Sequence, residues 1–279
     1  MPDSSSYESE VGKSEYPEAE APADDFLLRW DFSGSRVYGY DYELKAGIDS
    51  SISTTGQEMS QTVSTKGDML LKSRKSNKAD MVLKGLTLKM RREGKEGKPP
   101  ATAKQDLPDK TVKGINHDGS PSADSGELDI SMEIMIRMPA DELSAGESSS
   151  IDMEAPLQVM GKDLPITGTD TVTLDKFVTI DGRRCARLVH EIKMEDLEVP
   201  EGEEGTYLAR ITGRGVVYFD LVDHCLVEGK VALLMSSRVE TAPHVPEPRE
   251  KYPEDLPDKI RMVMDSDNLI SLGRQEKEE

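Results

Sequence analysis

The side chains of this sequence that could do chemistry are four histidines, two cysteines, a few glycine and acid clusters, and fourteen methionines. His117 and His244 lie in polar stretches and read as solvated. His190 shares a strand-like face with Leu188 and Ile192, which predicts a hydrogen-bonded interior histidine rather than a proton-transfer catalyst. No G-x-S-x-G elbow occurs, and no serine stands at a strand-to-helix turn that would expose its hydroxyl. The expectation is a chain with no catalytic residues, not an enzyme.

Cys185 and Cys225 belong to no C-x-x-C pair, and no histidine lies at ligand spacing from them. His224 directly precedes Cys225, and neighbours along a strand point to opposite faces, which is poor geometry for shared ligation. Gly213-Arg214-Gly215 is not completed to a dinucleotide fingerprint. Val216–Leu221 continues as strand, so the glycines mark a bulge or a close backbone crossing. In Asp265-Ser266-Asp267-Asn268, Leu269 stands where a calcium loop needs its next oxygen. The acids of Glu201–Glu204 read as a solvated turn. No metal and no cofactor are expected.

Fourteen methionines against four phenylalanines is the compositional anomaly. Met59, Met69, Met81, Met90, Met132, Met138, Met194, Met235, Met262 and Met264 fall mostly on apolar strand positions. Methionine fills irregular gaps in a core, and it also lines adaptable apolar grooves. On the groove reading, the candidate ligand-binding residues are Met132, Ile134, Met138, Leu188, His190 and Met235.

The elements that must position these residues repeat with period two. Leu128, Ile130, Met132, Ile134, Ile136 and Met138 alternate with mostly polar neighbours, which predicts a half-buried strand. Tyr38, Tyr40, Tyr42 and Leu44 do the same, as do Ala186, Leu188, His190, Ile192 and Met194. One-sided strands belong to antiparallel sheets. Between Ala79 and Met90 the apolar phase slips by one residue at Gly85, the signature of a β-bulge. Short helical turns are expected at Asp141–Ala145 and Pro253–Asp258.

A chain of 279 residues can bury a sizeable core. Its formal net charge of −19 argues against nucleic acid or anionic lipid as a partner for any broad face. No stretch approaches the roughly eighteen consecutive apolar residues of a membrane-spanning helix. Residues 1–25 are acidic and contain Pro2, Pro17, Pro22 and a serine run, with Lys13 as the one base, and read as a disordered tether. Residues 26–272 read as one β-rich domain of two strand groups, 26–91 and 126–272, joined by a mobile connector over 92–125. Residues 273–279 read as a charged tail. No basic and apolar leader opens the chain. It is read as an exported chain whose signal or lipid anchor has been removed, with a cytoplasmic protein as the alternative.

The order of landmarks adds to this. Trp30-Asp31-Phe32-Ser33-Gly34 precedes Val37-Tyr38-Gly39-Tyr40; Arg137-Met138-Pro139 and Leu143-Ser144-Ala145-Gly146 stand mid-chain. Val178-Thr179-Ile180-Asp181-Gly182 leads into Cys185-Ala186, and Gly213-Arg214-Gly215 into Tyr218-Phe219-Asp220. Over residues 26–272 this order resembles a group of uncharacterised bacterial exported proteins and lipoproteins of unknown function. More distantly, it is similar to the curved-sheet envelope carriers typified by the lipoprotein-localisation factor. The resemblance implies a location outside the cytoplasm, periplasmic or lipoprotein-type, and carrier activity by analogy of fold alone.

The expected fold is all-β: a large, curved, half-barrel-like antiparallel sheet, or two packed antiparallel sheets, of roughly ten to twelve strands. The expected function is non-enzymatic binding of a lipid or apolar small molecule in a sheet concavity. The alternative is a structural or interaction module of an envelope assembly, with an envelope protein as partner and a fully packed interior.

Overall fold

Alternating apolar and polar residues become long strands because each strand buries one face and wets the other. A computed structural model describes residues 5–22, 26–53, 56–93, 99–122, 129–159, 162–199, 205–242 and 259–275. The strands are β1 (Val37–Ile52), β2 (Gln57–Arg74), β3 (Lys78–Arg92), β4 (Ala101–Asp106), β5 (Lys110–Ile115), β6 (Ser148–Val159), β7 (Lys162–Ile180), β8 (Arg183–Leu197), β9 (Thr206–Asp220), β10 (Cys225–Thr241) and β11 (Ile260–Arg274). One short helix, α1, spans Ile130–Ile136.

All eleven strands belong to one curved antiparallel sheet in the order β4-β3-β2-β1-β11-β10-β9-β8-β7-β6, with β5 also pairing with β3. The sheet does not close into a barrel. The two strand groups expected from the sequence meet where β1 pairs with β11 from Tyr40–Arg274 to Ile52–Met262. Gly85 has φ +61°, and the β2–β3 register shifts opposite it, between Lys66 and Asp68. A side chain at Gly213 would begin 2.5 Å from the Ala232 carbonyl oxygen, so the glycine there does permit a close backbone crossing.

The register aligns one face of the sheet into rows. One row reads Val172, His190, Gly215, Val231, Ile270, Leu44 from β7 across to β1. The next reads Asp170, Ile192, Gly213, Leu233, Asn268, Ala46, and the one after it Gly168, Met194, Ile211, Met235, Ser266, Ile48. This inner face carries α1, which packs on β9 and β10. At the same end lie Leu28, Trp30 and Phe32, all buried, with Trp30 edge-on to Phe219 at a centroid distance of 5.6 Å.

The predicted strand over Leu128–Met138 is corrected to α1. The Asp129 side chain caps it by accepting from the Ser131 N–H at 3.0 Å. Ile130, Met132, Ile134, Met135 and Ile136 are all buried, so no polar face marks the helical period. Asp141–Ala145 is not helical but holds an isolated β-bridge from Leu143 to Phe26, and Pro253–Asp258 lies outside the described residues. The stretch expected to be a connector contains β4 and β5; β4 is exposed along its whole length, so it has no apolar alternation to betray it.

Residues 5–22 of the expected tether run as a strap along the outer face. The Ser5 and Ser6 hydroxyls both donate to the Asp267 carboxylate, and the Ser6 N–H joins them at 2.9 Å. Val11 and Tyr16 cover a small outer cluster of Val178, Ile180, Cys185, Val216 and Tyr218. Strand β6 pairs with β7 only as far as Thr173. The edge beyond it is met by the strap, through Thr179 N–H to the Pro17 carbonyl at 2.8 Å and Ala19 N–H to the Phe177 carbonyl at 3.0 Å. Composition is blind to the docking at the β7 edge, where the backbone rather than the side chains makes the bonds.

Candidate functional site

The inner face contains a buried ionisable pair. His190 Nδ1 lies 2.8 Å from Asp170 Oδ2, and both residues are 1 % exposed. A carboxylate accepts, so Nδ1–H is the donor of this bond, and Nε2 is the ring nitrogen left outside it. Among the described residues neither that nitrogen nor Asp170 Oδ1 has a hydrogen-bond partner. His190 faces Gly215 on β9, where an added Cβ would sit 3.1 Å from its own. Glu133 on α1 completes the group. Burial pushes its carboxyl above the ordinary range, Arg137 at 2.5 Å opposes that, and the nearby Asp170 charge adds to it. The pair ties β7 to β8 beneath the helix. His190 is thus the interior, hydrogen-bonded histidine expected from the sequence.

The other predicted site residues divide. Met132, Ile134 and Met138 sit on or just after α1 and, with Leu188, join the packed core at 3 % exposure or less. Met235 alone stays half-buried, at the far end of the inner face. There the register gathers residues that sequence reasoning did not assemble. Met235 is followed along β10 by Ser237 and Val239, which pair with Met264 and Met262. Those pair in turn with Ser50 and Ile52 on β1, and Ser50 pairs with Met59 on β2. Met90 lies opposite Val63, which lies opposite Ala46.

Met59, Met90, Met235, Met262 and Met264 are all half-buried, as are Tyr42, Leu44 and Ile48 on the same face of β1. Burying such a side chain completely stabilises by about 1.5–3 kcal/mol, so each leaves part of that unrealised. At the helix end, by contrast, Tyr40, Met69 and Phe219 are 0 % exposed. Among the described residues the sheet therefore has a filled end and an open, methionine-lined end. The signal missed in the sequence was pairing: the methionines come from β2, β3, β10 and β11, and only the register makes them one surface.

A cleft of about 680 Å³ borders this end of the sheet; Ser50 and Met59 reach it, but most of its strand lining, Asp49, Ser51, Glu58, Ser60, Val263 and Asp265, belongs to the outer face. A cleft of about 710 Å³ lies at the opposite end of the sheet, among Asp31, Ser33, Lys75, Asn77 and His224. Behind its His224 wall is an ionic network. Asp220, 0 % exposed, accepts from the Val222 and Asp223 N–H groups at 2.8 and 3.0 Å. Arg183 and Arg274 bridge to Asp223 at 2.9 and 3.0 Å, and Arg274 with its hydrogen bond holds the Asp223 carboxyl below its ordinary range. This network locks the β9–β10 turn.

Cys185 and Cys225 are free and buried, and burial pushes both thiols up to about 12. Among the described residues no group of three or more His, Cys, Asp or Glu side chains is placed to hold a metal ion. Among them, too, no helix is long and apolar enough to cross a membrane.

No protein-family model matches the sequence, and no curated protein matches it. Among solved structures, the chain is similar to a DUF1329 family protein from Desulfovibrio piger. The identity is 12 %, the alignment covers 85 % of this chain and 86 % of that one, and the TM-score is 0.17. A likeness of this size fixes neither family nor activity.

Proposed function

We propose that the protein is a non-enzymatic binder of a lipid or other apolar ligand, which lies on the methionine-lined open end of the inner face. The observation that carries this reading is the set of half-buried apolar side chains from β1, β2, β3, β10 and β11 on one face. An apolar ligand laid across them would take their remaining surface out of water, and unbranched thioethers adapt to its shape. The deeper residues Met132, Ile134, Met138, Leu188 and His190 act as the packed floor that keeps the sheet curved. We place the protein outside the cytoplasm, in the periplasm or held at a membrane, in keeping with the landmark order of its sequence.

Native mass spectrometry of the full chain, purified from its host without detergent, tests the reading. A mass increment that extraction with organic solvent identifies as lipid supports it, and bare protein from several preparations contradicts it. The packing of those five deeper residues favours the second reading, an interaction module of an envelope assembly with a filled interior. That module would carry no ligand and would instead retain a protein partner through the same purification.

A further inference from the structure

We propose that, among the described residues, the redox-sensitive sulfur of this protein is its open-end methionine face, Met59, Met90, Met235, Met262 and Met264, and that the oxidant is a hydroperoxide. Oxidation of a thioether depends on access of the oxidant to sulfur, and these five are half-buried methionines on one face of the sheet. The other described methionines provide the contrast: Met69, Met135 and Met194 are 0 % exposed, Met81 and Met132 are 1 %, and Met138 and Met153 are 3 %. The cysteines, the usual first targets, are withdrawn. Both are 0 % exposed, and thiols pushed up to about 12 supply almost no thiolate, the form that attacks peroxide.

In the reaction a thioether sulfur attacks one peroxide oxygen. A sulfur–oxygen bond forms, the oxygen–oxygen bond breaks and sulfur loses two electrons; the transferred hydroxyl gives up its proton and the departing oxygen takes one up, leaving as water, or as an alcohol from an organic peroxide. The sulfoxide is polar and chiral where the thioether was apolar and flexible, and sulfoxide reductases restore it. Oxidation thus turns the apolar face polar in patches, while the core beneath α1 keeps its thioethers. Loss of an apolar ligand on oxidation rests on the function proposed above; the order in which the methionines oxidise does not.

The test is a time course of the full chain in hydrogen peroxide, quenched and mapped by peptide mass spectrometry. The five open-end methionines are expected to convert roughly tenfold faster than the seven buried ones, ahead of both cysteines. Uniform rates, or cysteine oxidation first, would overturn the proposal. In parallel, a fluorescent long-chain fatty-acid analogue is titrated before and after oxidation. It is titrated also into a variant with the five methionines changed to Leu. Binding that oxidation weakens roughly tenfold in the natural chain but not in the variant supports the coupling. Equal binding by oxidised and reduced chains overturns it. No binding by any form, with selective oxidation intact, counts against the proposed function alone.

Discussion

Cys185 and Cys225 stand on opposite sides of Asp220, each paired with it in register, one from β8 and the other from β10. A whole strand therefore separates the thiols, and strands two apart lie about 9.6 Å from each other, twice the neighbour spacing. A disulfide needs its Cα atoms within about 7 Å. Both thiols are expected to resist alkylation in the folded chain and to react fully once it is unfolded without reductant. A disulfide-linked peptide in the unreduced digest would contradict this strand order.

His190 and Asp170 join neighbouring strands from a buried position, so removing either partner strands the other. His190→Gln and Asp170→Asn should each lower stability by about 1–3 kcal/mol in urea unfolding. A hydrolytic activity lost in His190→Gln with the fold intact would overturn the non-enzymatic reading.

Two carboxyls predict opposite pH effects. Burial raises the Glu133 carboxyl in the folded chain, so folding disfavours its ionised form. Its favourable contribution is complete below the unfolded value and disappears as pH rises through the folded one. Glu133→Gln should therefore gain stability relative to the natural chain as pH rises from 4 to 7. The Arg274 hydrogen bond lowers Asp223, so its contribution is present above the unfolded value and is lost as pH falls through the folded one. Asp223→Asn should be destabilising at pH 7 and progressively less so as pH falls below the ordinary aspartate range. Melting curves across pH read both, and parallel curves for all three chains would contradict the assignment.

The strap is anchored by Asp267 at one end and by the β7 edge at the other. Between them Tyr16 meets Tyr218 edge-on at 5.2 Å, and the Tyr218 hydroxyl donates to the Ser14 carbonyl at 3.0 Å. Limited proteolysis should spare residues 5–22 in the natural chain and cut there in Tyr16→Ala. Equal cutting in both would mean that the strap is not held by this contact.

Much of the sheet was legible because its signals are local. The alternation through Tyr38–Leu44 and Ala186–Met194 marks β1 and β8, and the phase slip at Gly85 marks the bulge in β3. Helix α1 was not legible, because a short helix buried nearly all round shows no polar stripe; only Asp129, placed before an apolar run, and the Glu133–Arg137 spacing announced it. The candidate site was half legible. Methionine content pointed to it, but the pairing of β1 with β11 joins residues more than two hundred positions apart, which no periodicity encodes.

The central claim is that the open end of the inner face binds an apolar chain, and its most direct test is a titration. The probe is a long-chain fatty-acid analogue whose emission rises in apolar surroundings, added to the natural full chain and to Met235→Arg and Met262→Glu. Both positions are half-buried, so a charge there can stay hydrated and circular dichroism should report an intact sheet. Saturable binding by the natural chain, weakened roughly tenfold or more in each variant by the charge in the apolar contact, is the result expected. Saturable binding left unchanged by both substitutions, or no binding by the natural chain, would contradict the account.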